Sequence, residues 1–248
     1  MLFLIPPSET KRIGGTLPCL DQIALPFNQL SSARESVISA VMKVSKQKNA
    51  AKLLKVPKSQ LALIDENTRL LSAQTIPAIE RYIGTLYDAI AVESLTEKQR
   101  ARAGEQVLIQ SALFGLVSAN APIPNYRFSA TISLPKLDLK KTWAQAHQTV
   151  FARLAPNAPI IDLRSKSYAD LAPVPEHIPH FWVEVVTRVN GSETRALNHF
   201  NKKSKGELIR AVLQSEARVE SIDQLKTVAK IIGFELVEIS DRFMQLVV

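Results

Sequence analysis

Residues 110–135, which include Ser111, Tyr126 and Arg127, are interpreted as a rigid loop that presents polar groups able to bind ligands. Other polar side chains follow two apolar runs, where short strands are expected to end: Ser8, Glu9 and Lys11 after residues 2–5, and Asp162, Arg164 and Tyr168 at or after residues 159–162. Ligands gather at strand ends in α/β sheets, so these side chains are candidates for one binding site. Ordinary polar loops are the alternative.

A fourth polar cluster indicates phosphate binding. Lys202, Lys203 and Lys205 surround Ser204, and Ser204 with Glu207 three residues later has the pattern of a capping box that starts a helix. The free N–H groups and the positive dipole end of such a helix favour an anion, with phosphate as the natural ligand. A well-capped helix start without a ligand is the alternative.

A pair of predicted helices meets across a very short turn at Val56 and Pro57, within residues 35–72. Lys52, Lys55 and Lys58 cluster around this turn. A tight turn between two helices with cationic rims is typical of helix-hairpin-helix modules, which hold a DNA backbone without reading its sequence. The usual hairpin glycines are missing, and a solvated charge run on an ordinary helix pair is the alternative.

The histidines do not form an evident metal site. His147 lies on the apolar face of an amphipathic helix and is interpreted as a core histidine. His177 and His180 have the spacing of a metal pair, but Pro175 and Pro179 prevent the helix that would align their rings. No metal ligands and no cofactor are therefore expected.

Composition limits the class of protein. The chain has 248 residues, 46% of them hydrophobic, and a net charge of +8, which attracts polyanions such as nucleic acid. Its single cysteine, Cys19, excludes an intrachain disulfide framework and multi-thiolate metal sites. No run reaches membrane length, so a soluble cytoplasmic protein is expected. Glycine-rich phosphate loops, HExxH and GxSxG motifs are absent.

The remaining patterns predict a mixed α/β domain in which helices flank a central mixed sheet. A helix is expected from Pro77 through Ile90, with Arg81 on its polar side, and a strand is expected after Arg127. Other helices are predicted after Thr96, around Trp143 and over residues 221–232, and closing strands over residues 234–239 and 243–248. Residues 181–200 predict a hairpin that turns at Asn190-Gly191 and places His199 at its far end.

Five blocks of this sequence together resemble the YaaA peroxide stress protein family. They are residues 1–11 (ending LFLIPPSETK), 81–90 (RYIGTLYDAI), 111–127 (SALFGLVSANAPIPNYR), 161–168 (IDLRSKSY) and 198–210 (NHFNKKSKGELIR). The resemblance implies one domain over residues 1–248, a basic cleft, a helix-hairpin-helix-like element, binding to duplex or branched DNA, and a role in limiting iron-driven DNA damage under peroxide stress. It implies no established reaction.

The same resemblance brings a set of site residues. They are Ser8, Glu9, Lys11, Tyr87, Ser111, Tyr126, Arg127, Asp162, Arg164, Tyr168, His199, Lys202, Lys205 and Gly206. Arg81, on the polar side of the helix predicted after Pro77, is a further candidate, and a surface ion pair is its alternative. Two features depart from the family pattern: the turn at residues 55–58 lacks glycine, and Phe114 stands where tyrosine is expected.

The favoured hypothesis is a monomeric DNA-binding stress protein whose lysines and arginines contact phosphates. An enzyme acting on nucleic acid or a nucleotide is the alternative, with Lys11, Arg127, Asp162, Tyr168 and His199 converging in the cleft. An iron-sequestering protein is disfavoured because the carboxylates are not clustered. The enzyme hypothesis requires an acid or base beside a reacting group, whereas the DNA-binding hypothesis requires only a basic surface.

Overall fold

The computed structural model describes residues 1–154, 159–189, 192–195 and 197–248. Its strands are β1 (Leu2–Ile5), β2 (Leu17–Cys19), β3 (Gln74–Pro77), β4 (Val107–Ser111), β5 (Gly115–Ser118), β6 (Pro122–Ile123), β7 (Ile160–Asp162), β8 (His180–Val189), β9 (Ser192–Arg195), β10 (Glu235–Ser240) and β11 (Phe243–Val247). Its helices are α1 (Ser31–Ser45), α2 (Ala50–Leu53), α3 (Ala62–Thr68), α4 (Ala78–Arg81), α5 (Thr85–Ile90), α6 (Glu97–Gln106), α7 (Leu139–Leu154), α8 (Lys166–Ala169), α9 (Asn198–Gln214) and α10 (Ile222–Ile231).

The large sheet is mixed and runs in the order β10-β11-β8-β7-β1-β4-β5, with β9 beside β8. Four pairs of neighbouring strands in this sheet are parallel: β4 with β1, β1 with β7, β7 with β8, and β8 with β11. The carboxyl ends of β1, β4 and β7 therefore meet at one edge of the sheet. A smaller sheet joins β2, β3 and β6 in antiparallel pairs.

The central strands are short apolar runs because helices and loops cover the sheet. Phe3, Leu4 and Ile5 are fully buried, and every residue of β4 is buried. Such continuous apolar runs are typical of buried parallel strands. Pro6 ends β1 because proline lacks the backbone N–H that a sheet ladder needs.

Two helix starts follow the expected capping chemistry. Thr96 caps α6 with Gln99, and Ser221 caps α10 with Gln224, each as a reciprocal capping box. The helix around Trp143 is α7, and His147 on it is buried, accepting a hydrogen bond from the Leu116 N–H (3.1 Å). The helices predicted after Thr96, around Trp143 and over residues 221–232 are confirmed, as are the core position of His147 and the closing strands β10 and β11.

Several predicted elements differ from the structure. The helix expected from Pro77 to Ile90 is broken between α4 and α5, where Gly84 takes a φ of 117° that favours glycine. The strand expected directly after Arg127 is not formed, because residues 124–133 are irregular. The hairpin strands β8 and β9 are confirmed, but β9 ends at Arg195 instead of reaching Phe200, and the Asn190-Gly191 turn lies outside the described residues.

The helical element over residues 35–72 consists of α1, α2 and α3 with a 3-10 turn over Lys58–Gln60. Val37, Val41, Leu54 and Val56 are buried. The helix after Pro57 is shorter than predicted, and Leu61 and Leu71 are exposed. Lys55 takes a left-handed φ of 50° in the turn, at the position where a hairpin glycine would be expected.

The predicted fold class, a mixed α/β domain with a central mixed sheet flanked by helices, is confirmed. A single buried apolar cluster extends from Met1 to Leu246 through both the sheet and the helices. None of the helices in the described part of the chain has the length and apolar character needed to cross a bilayer.

Candidate functional site

Two adjoining concavities lie where the polypeptide leaves β1 and β7. The larger has a volume of about 580 Å³ and is lined by residues from five segments, 6–10, 84–87, 129–131, 165–168 and Lys202. The smaller has a volume of about 120 Å³ and is bounded by residues 163–166, 182–184 and the first turns of α9. Both share Pro6, Leu86, Ser165 and Lys202, and together they are called the cleft.

A hydroxyl network lies beneath the cleft. The Tyr126 hydroxyl is 2.7 Å from the Tyr82 hydroxyl and 2.8 Å from Ser111 Oγ. Ser111 Oγ also accepts hydrogen bonds from the N–H groups of Leu113 and Phe114 (3.1 Å each). Burial raises the pKa of both Tyr82 and Tyr126 well above the ordinary value. Ser111 and Tyr126 were predicted to be presented by a rigid loop, but they are buried and support the site from below.

Lys11 lies on this network. Its Nζ donates hydrogen bonds to the carbonyls of Ser8 (3.1 Å) and Glu9 (3.2 Å) and lies 4.2 Å from the centre of the Tyr126 ring. Burial, followed by the nearby Arg127 charge, lowers the pKa of Lys11 to about 7, and Glu9 opposes this shift. Lys11 is therefore a buried amine that changes its charge close to neutral pH.

Arg127 makes an ion pair at the rim of the larger concavity. Its Nη1 lies 2.7 Å from Glu9 Oε2, and the arginine side chain is 12% exposed whereas the glutamate is 63% exposed. Asn67 holds the Arg127 backbone, donating to its carbonyl and accepting from its N–H (2.8 Å each). The Nε of Arg127 is buried and has no hydrogen-bond partner among the residues that the structure describes. The backbone of Arg127 is thus fixed, while its guanidinium is only partly satisfied.

Asp162 and Arg164 form a second, closed ion pair at the end of β7. Arg164 Nε donates to Asp162 Oδ1 (2.8 Å), its Nη2 donates to Oδ2 (2.6 Å), and its Nη1 donates to the Ala172 carbonyl (2.9 Å). Both residues are buried. This pair borders the smaller concavity through Arg164, but its charges neutralise each other.

Tyr168 and the hydroxyl residues shape the larger concavity. Tyr168 lines it, and burial raises the pKa of its phenol. Seven hydroxyl side chains of Ser and Thr line the same space. Two pairs of these contact each other, Ser129 with Thr131 (3.1 Å) and Ser165 with Ser167 (3.2 Å). The surface can therefore donate many hydrogen bonds to an oxygen-rich ligand.

Helix α9 contributes its lysines from within the helix rather than from its start. The predicted capping box at Ser204 is wrong, because α9 begins at Asn198 and Ser204 is buried in its second turn. Lys205 is also buried, and its Nζ donates to the Leu163 carbonyl (3.0 Å) and lies 5.9 Å from the Trp182 ring. Lys202 is exposed where the two concavities meet.

Gly206 has a packing role. A Cβ at this position would lie 2.2 Å from the Leu86 carbonyl oxygen and 2.7 Å from Ala89 Cβ, so glycine allows α9 to approach α5 closely. Lys203 pairs with Glu207 (3.3 Å) one turn on. The anion site predicted at an exposed helix start is therefore not present in that form, although Lys202 and Lys205 do border the cleft.

Other predicted site residues lie elsewhere. Arg81 is fully buried and donates to the carbonyls of Arg12 (2.5 Å), Gly14 (2.7 Å) and Ile123 (3.1 Å), so it ties loops together. His199 is exposed in the first turn of α9, its ring against Phe200, and borders neither concavity.

The lysines of the helical element, Lys52, Lys55 and Lys58, are all exposed. Lys55 Nζ donates to the Thr131 carbonyl (2.9 Å), and Thr131 lines the larger concavity. The helical element and the cleft, which the sequence offered as separate candidates, are in direct contact.

Sequence reasoning missed the hydroxyl residues of the 129–131 segment and Gly84. A lone glycine within a helical pattern is a recognised sign of a break, so Gly84 could have been found. Ser129 and Thr131 have no distinguishing pattern, because isolated hydroxyl residues in loops are common. Within the described ranges, no three His, Cys, Asp or Glu side chains are grouped as they would be to hold a metal ion.

Comparison with known proteins supports the pattern of the five blocks. A UPF0246 protein of Corynebacterium glutamicum is 34% identical over 243 residues, which cover 96% of this chain and 95% of that protein. A UPF0246 protein of Corynebacterium efficiens is 35% identical over 246 residues (97% and 96%), and one of Streptomyces coelicolor is 31% identical over 239 residues (95% and 92%). The family model described as "Peroxide stress protein YaaA" matches residues 1–239, and the chain therefore belongs to the YaaA peroxide stress protein family.

Proposed function

We propose that this protein binds duplex or branched DNA without reading its sequence and that this binding limits iron-driven damage to DNA during peroxide stress. Lysine and arginine side chains around the cleft would contact the phosphates. Phosphate contacts of this kind position a protein on DNA and do not depend on the bases. The family supplies the link to peroxide stress.

One observation carries the proposal most strongly. The hydrogen bond from Lys55 Nζ to the Thr131 carbonyl joins the lysine-bearing turn to the mouth of the cleft. Lys202 is exposed where the two concavities of the cleft meet, and Lys52 and Lys58 flank Lys55 in the chain. We infer that these lysines act as one basic surface around the concave cleft, which would suit a backbone that is bent or branched.

The experiment is a DNA titration over a range of salt concentrations. The logarithm of the association constant should fall linearly with the logarithm of salt concentration, by roughly 0.9 per phosphate neutralised. The double substitution Lys55→Ala/Lys202→Ala should lower this slope by up to about two. A charge-matched control is Lys98→Ala/Lys230→Ala, since both lysines are exposed and neither lines the cleft.

A control that weakens binding as much as the Lys55 and Lys202 substitutions would mean that net charge alone attracts DNA. A salt-independent association constant would contradict phosphate binding altogether. Thermal stability of both double variants should match the parent, because exposed lysines contribute little to folding.

An enzyme that acts on nucleic acid or a nucleotide is the second candidate, and Lys11 favours it. A buried amine with a pKa of about 7 has the property that a general base or a nucleophile needs. Two of the five side chains expected to converge do not do so, however: Asp162 is held by Arg164, and His199 lies outside the cleft. DNA binding requires no such convergence and is therefore preferred.

A further inference from the structure

The larger concavity has the size and lining of a small-molecule site. Its volume of about 580 Å³ suits one compact ligand rather than a stretch of duplex. Hydroxyl groups of Ser8, Thr85 and Ser167 lie beside the apolar surfaces of Pro7, Leu86 and Tyr87. A ligand with many oxygen acceptors and one flat apolar part would match both kinds of surface.

Charge at the rim indicates that this ligand is an anion. Arg127 lies close enough to Lys11 to lower the pKa of the lysine, and Glu9 is the carboxylate that faces them. Tyr82, Tyr126 and Tyr168, which also face this group, are uncharged at neutral pH because burial raises their pKa values. The Arg81 charge adds to the positive side, although carbonyl oxygens occupy its donors. Arg127, together with Lys11 in its protonated form, thus shares a single carboxylate that is itself largely exposed, which favours the addition of an anion.

Glu9 is a poor permanent partner for Arg127. Its side chain is 63% exposed, and its Oε2 contacts Nη1 of the arginine. A phosphate in this position can accept from Nη1 and Nη2 together in the bidentate geometry that guanidinium groups favour, whereas the buried Nε–H points away from Nη1. The Glu9 carboxylate therefore occupies a position that a ligand phosphate could take, and its exposure lets it move aside.

We propose that the larger concavity binds one nucleotide unit, whose phosphate replaces the Glu9 carboxylate on Arg127. The flat base would pack against the tyrosine, proline and leucine surfaces, and the sugar would contact the hydroxyl groups. The inference rests on the proposed function, because DNA bound by the protein would be the source of the nucleotide. The nucleotide would then be an unpaired one in a DNA strand. A free mononucleotide carries the same groups, and the test separates the two sources.

The primary test is calorimetric titration of the full chain with 2′-deoxyadenosine 5′-monophosphate and with 2′-deoxyadenosine, which lacks the phosphate. Glu9→Gln removes the competing charge and should increase affinity for the monophosphate by roughly threefold to tenfold, without changing affinity for the nucleoside. The gain should disappear in Glu9→Gln/Arg127→Gln, which has no guanidinium to receive the phosphate. Circular dichroism of each variant checks that it is folded.

Glu93→Gln is a matched control. Glu93 is 65% exposed and pairs with Arg12 at 2.6 Å, which resembles the Glu9 pair at 2.7 Å, but it borders neither concavity. Its replacement should leave affinity for the monophosphate unchanged. Equal gains from Glu9→Gln and Glu93→Gln, or no binding of the monophosphate to parent and Glu9→Gln alike, would overturn the inference.

A second titration identifies the source with a DNA duplex that carries one unpaired nucleotide and with its fully paired counterpart. If Glu9→Gln tightens binding to the bulged duplex more than to the paired one, the nucleotide comes from DNA; a response to the free monophosphate alone identifies a mononucleotide. If the protein binds DNA with the expected salt dependence but Glu9→Gln changes the affinity for no ligand, this inference is rejected and the proposed function stands. If the protein binds the monophosphate but not DNA, the proposed function is rejected and the nucleotide site stands.

Discussion

Two arginine–carboxylate pairs lie at the same edge of the sheet, after neighbouring parallel strands. They differ in how many guanidinium nitrogens have an acceptor and in how exposed the carboxylate is. Asp162–Arg164 is called the closed pair and Glu9–Arg127 the open pair. Asp162–Arg164 follows β7, is buried, and uses Nε, Nη1 and Nη2 of the guanidinium. Glu9–Arg127 has one ion-pair contact, an exposed carboxylate and a buried Nε without a partner.

The difference separates a structural pair from an exchangeable one. A closed pair in a dry environment resists the loss of either partner, because the remaining charge would be buried alone. A pair with an exposed carboxylate loses little when that carboxylate leaves, since water solvates it. Lys11 lies beside the open pair and not beside the closed one. Because protonated Lys11 adds positive charge there, an anion is most favoured at the open pair.

The largest effect should come from opening the closed pair. Asp162→Asn leaves the buried Arg164 without its countercharge and should lower the free energy of unfolding by about 3 kcal/mol, as measured in urea. Asp170→Asn is the control, because Asp170 pairs with Lys166 at the surface (2.8 Å) and should cost less than about 1 kcal/mol. Equal losses in the two variants would mean that Asp162–Arg164 is no more structural than a surface pair.

The next effect concerns pH and the open pair. Because Lys11 has a folded pKa of about 7 and an ordinary value of 10.5, the unfolded chain binds more protons between these values, and stability should rise with pH. The gain should be on the order of a few kcal/mol up to about pH 10, above which the buried tyrosines titrate in the unfolded chain and oppose it. Unfolding curves of Lys11→Met, compared with the parent at each pH, should lack this rise.

A smaller effect should come from the hydroxyl network below the open pair. Tyr126→Phe removes the contacts to Tyr82 and Ser111 and should cost about 1–2 kcal/mol, because two buried hydroxyls lose a partner. Tyr87→Phe is the comparison, since the Tyr87 hydroxyl donates to one acceptor, the Pro6 carbonyl (2.8 Å). Thermal unfolding of the two variants at one pH measures the difference, and a larger loss in Tyr87→Phe would contradict the importance of the network.

Local patterns predicted the strands that bring both pairs to one edge. The runs before Pro6 and Asp162 are short and apolar, and parallel pairing then aligns their carboxyl ends. The helix start at Thr96 was equally readable because its cap depends on a few adjacent residues. Whether a pair is open or closed was not readable, because it depends on side chains far apart in sequence, such as Asn67 beside Arg127.

Ser204 shows why a correct local motif can fail. Its spacing to Glu207 matches a capping box, which stabilises a helix by about 1 kcal/mol. Helix α9 instead starts at Asn198 and packs Gly206 against Leu86, and its buried Leu208 and Ile209 contribute more than a cap does. Tertiary packing therefore decided where this helix begins, and no window of the sequence shows what it packs against.

The smallest effect should come from removing the exposed carboxylate of the open pair. Glu9→Gln should change the free energy of unfolding by less than about 1 kcal/mol, because a solvated carboxylate contributes little to the folded state. The amide can still accept a hydrogen bond from Arg127, so the local geometry should persist. Urea unfolding of Glu9→Gln beside Asp162→Asn, at the same pH, tests the two pairs directly. A loss in Glu9→Gln as large as that in Asp162→Asn would make the open pair a structural one, and a ligand phosphate could then displace Glu9 only at the expense of the fold.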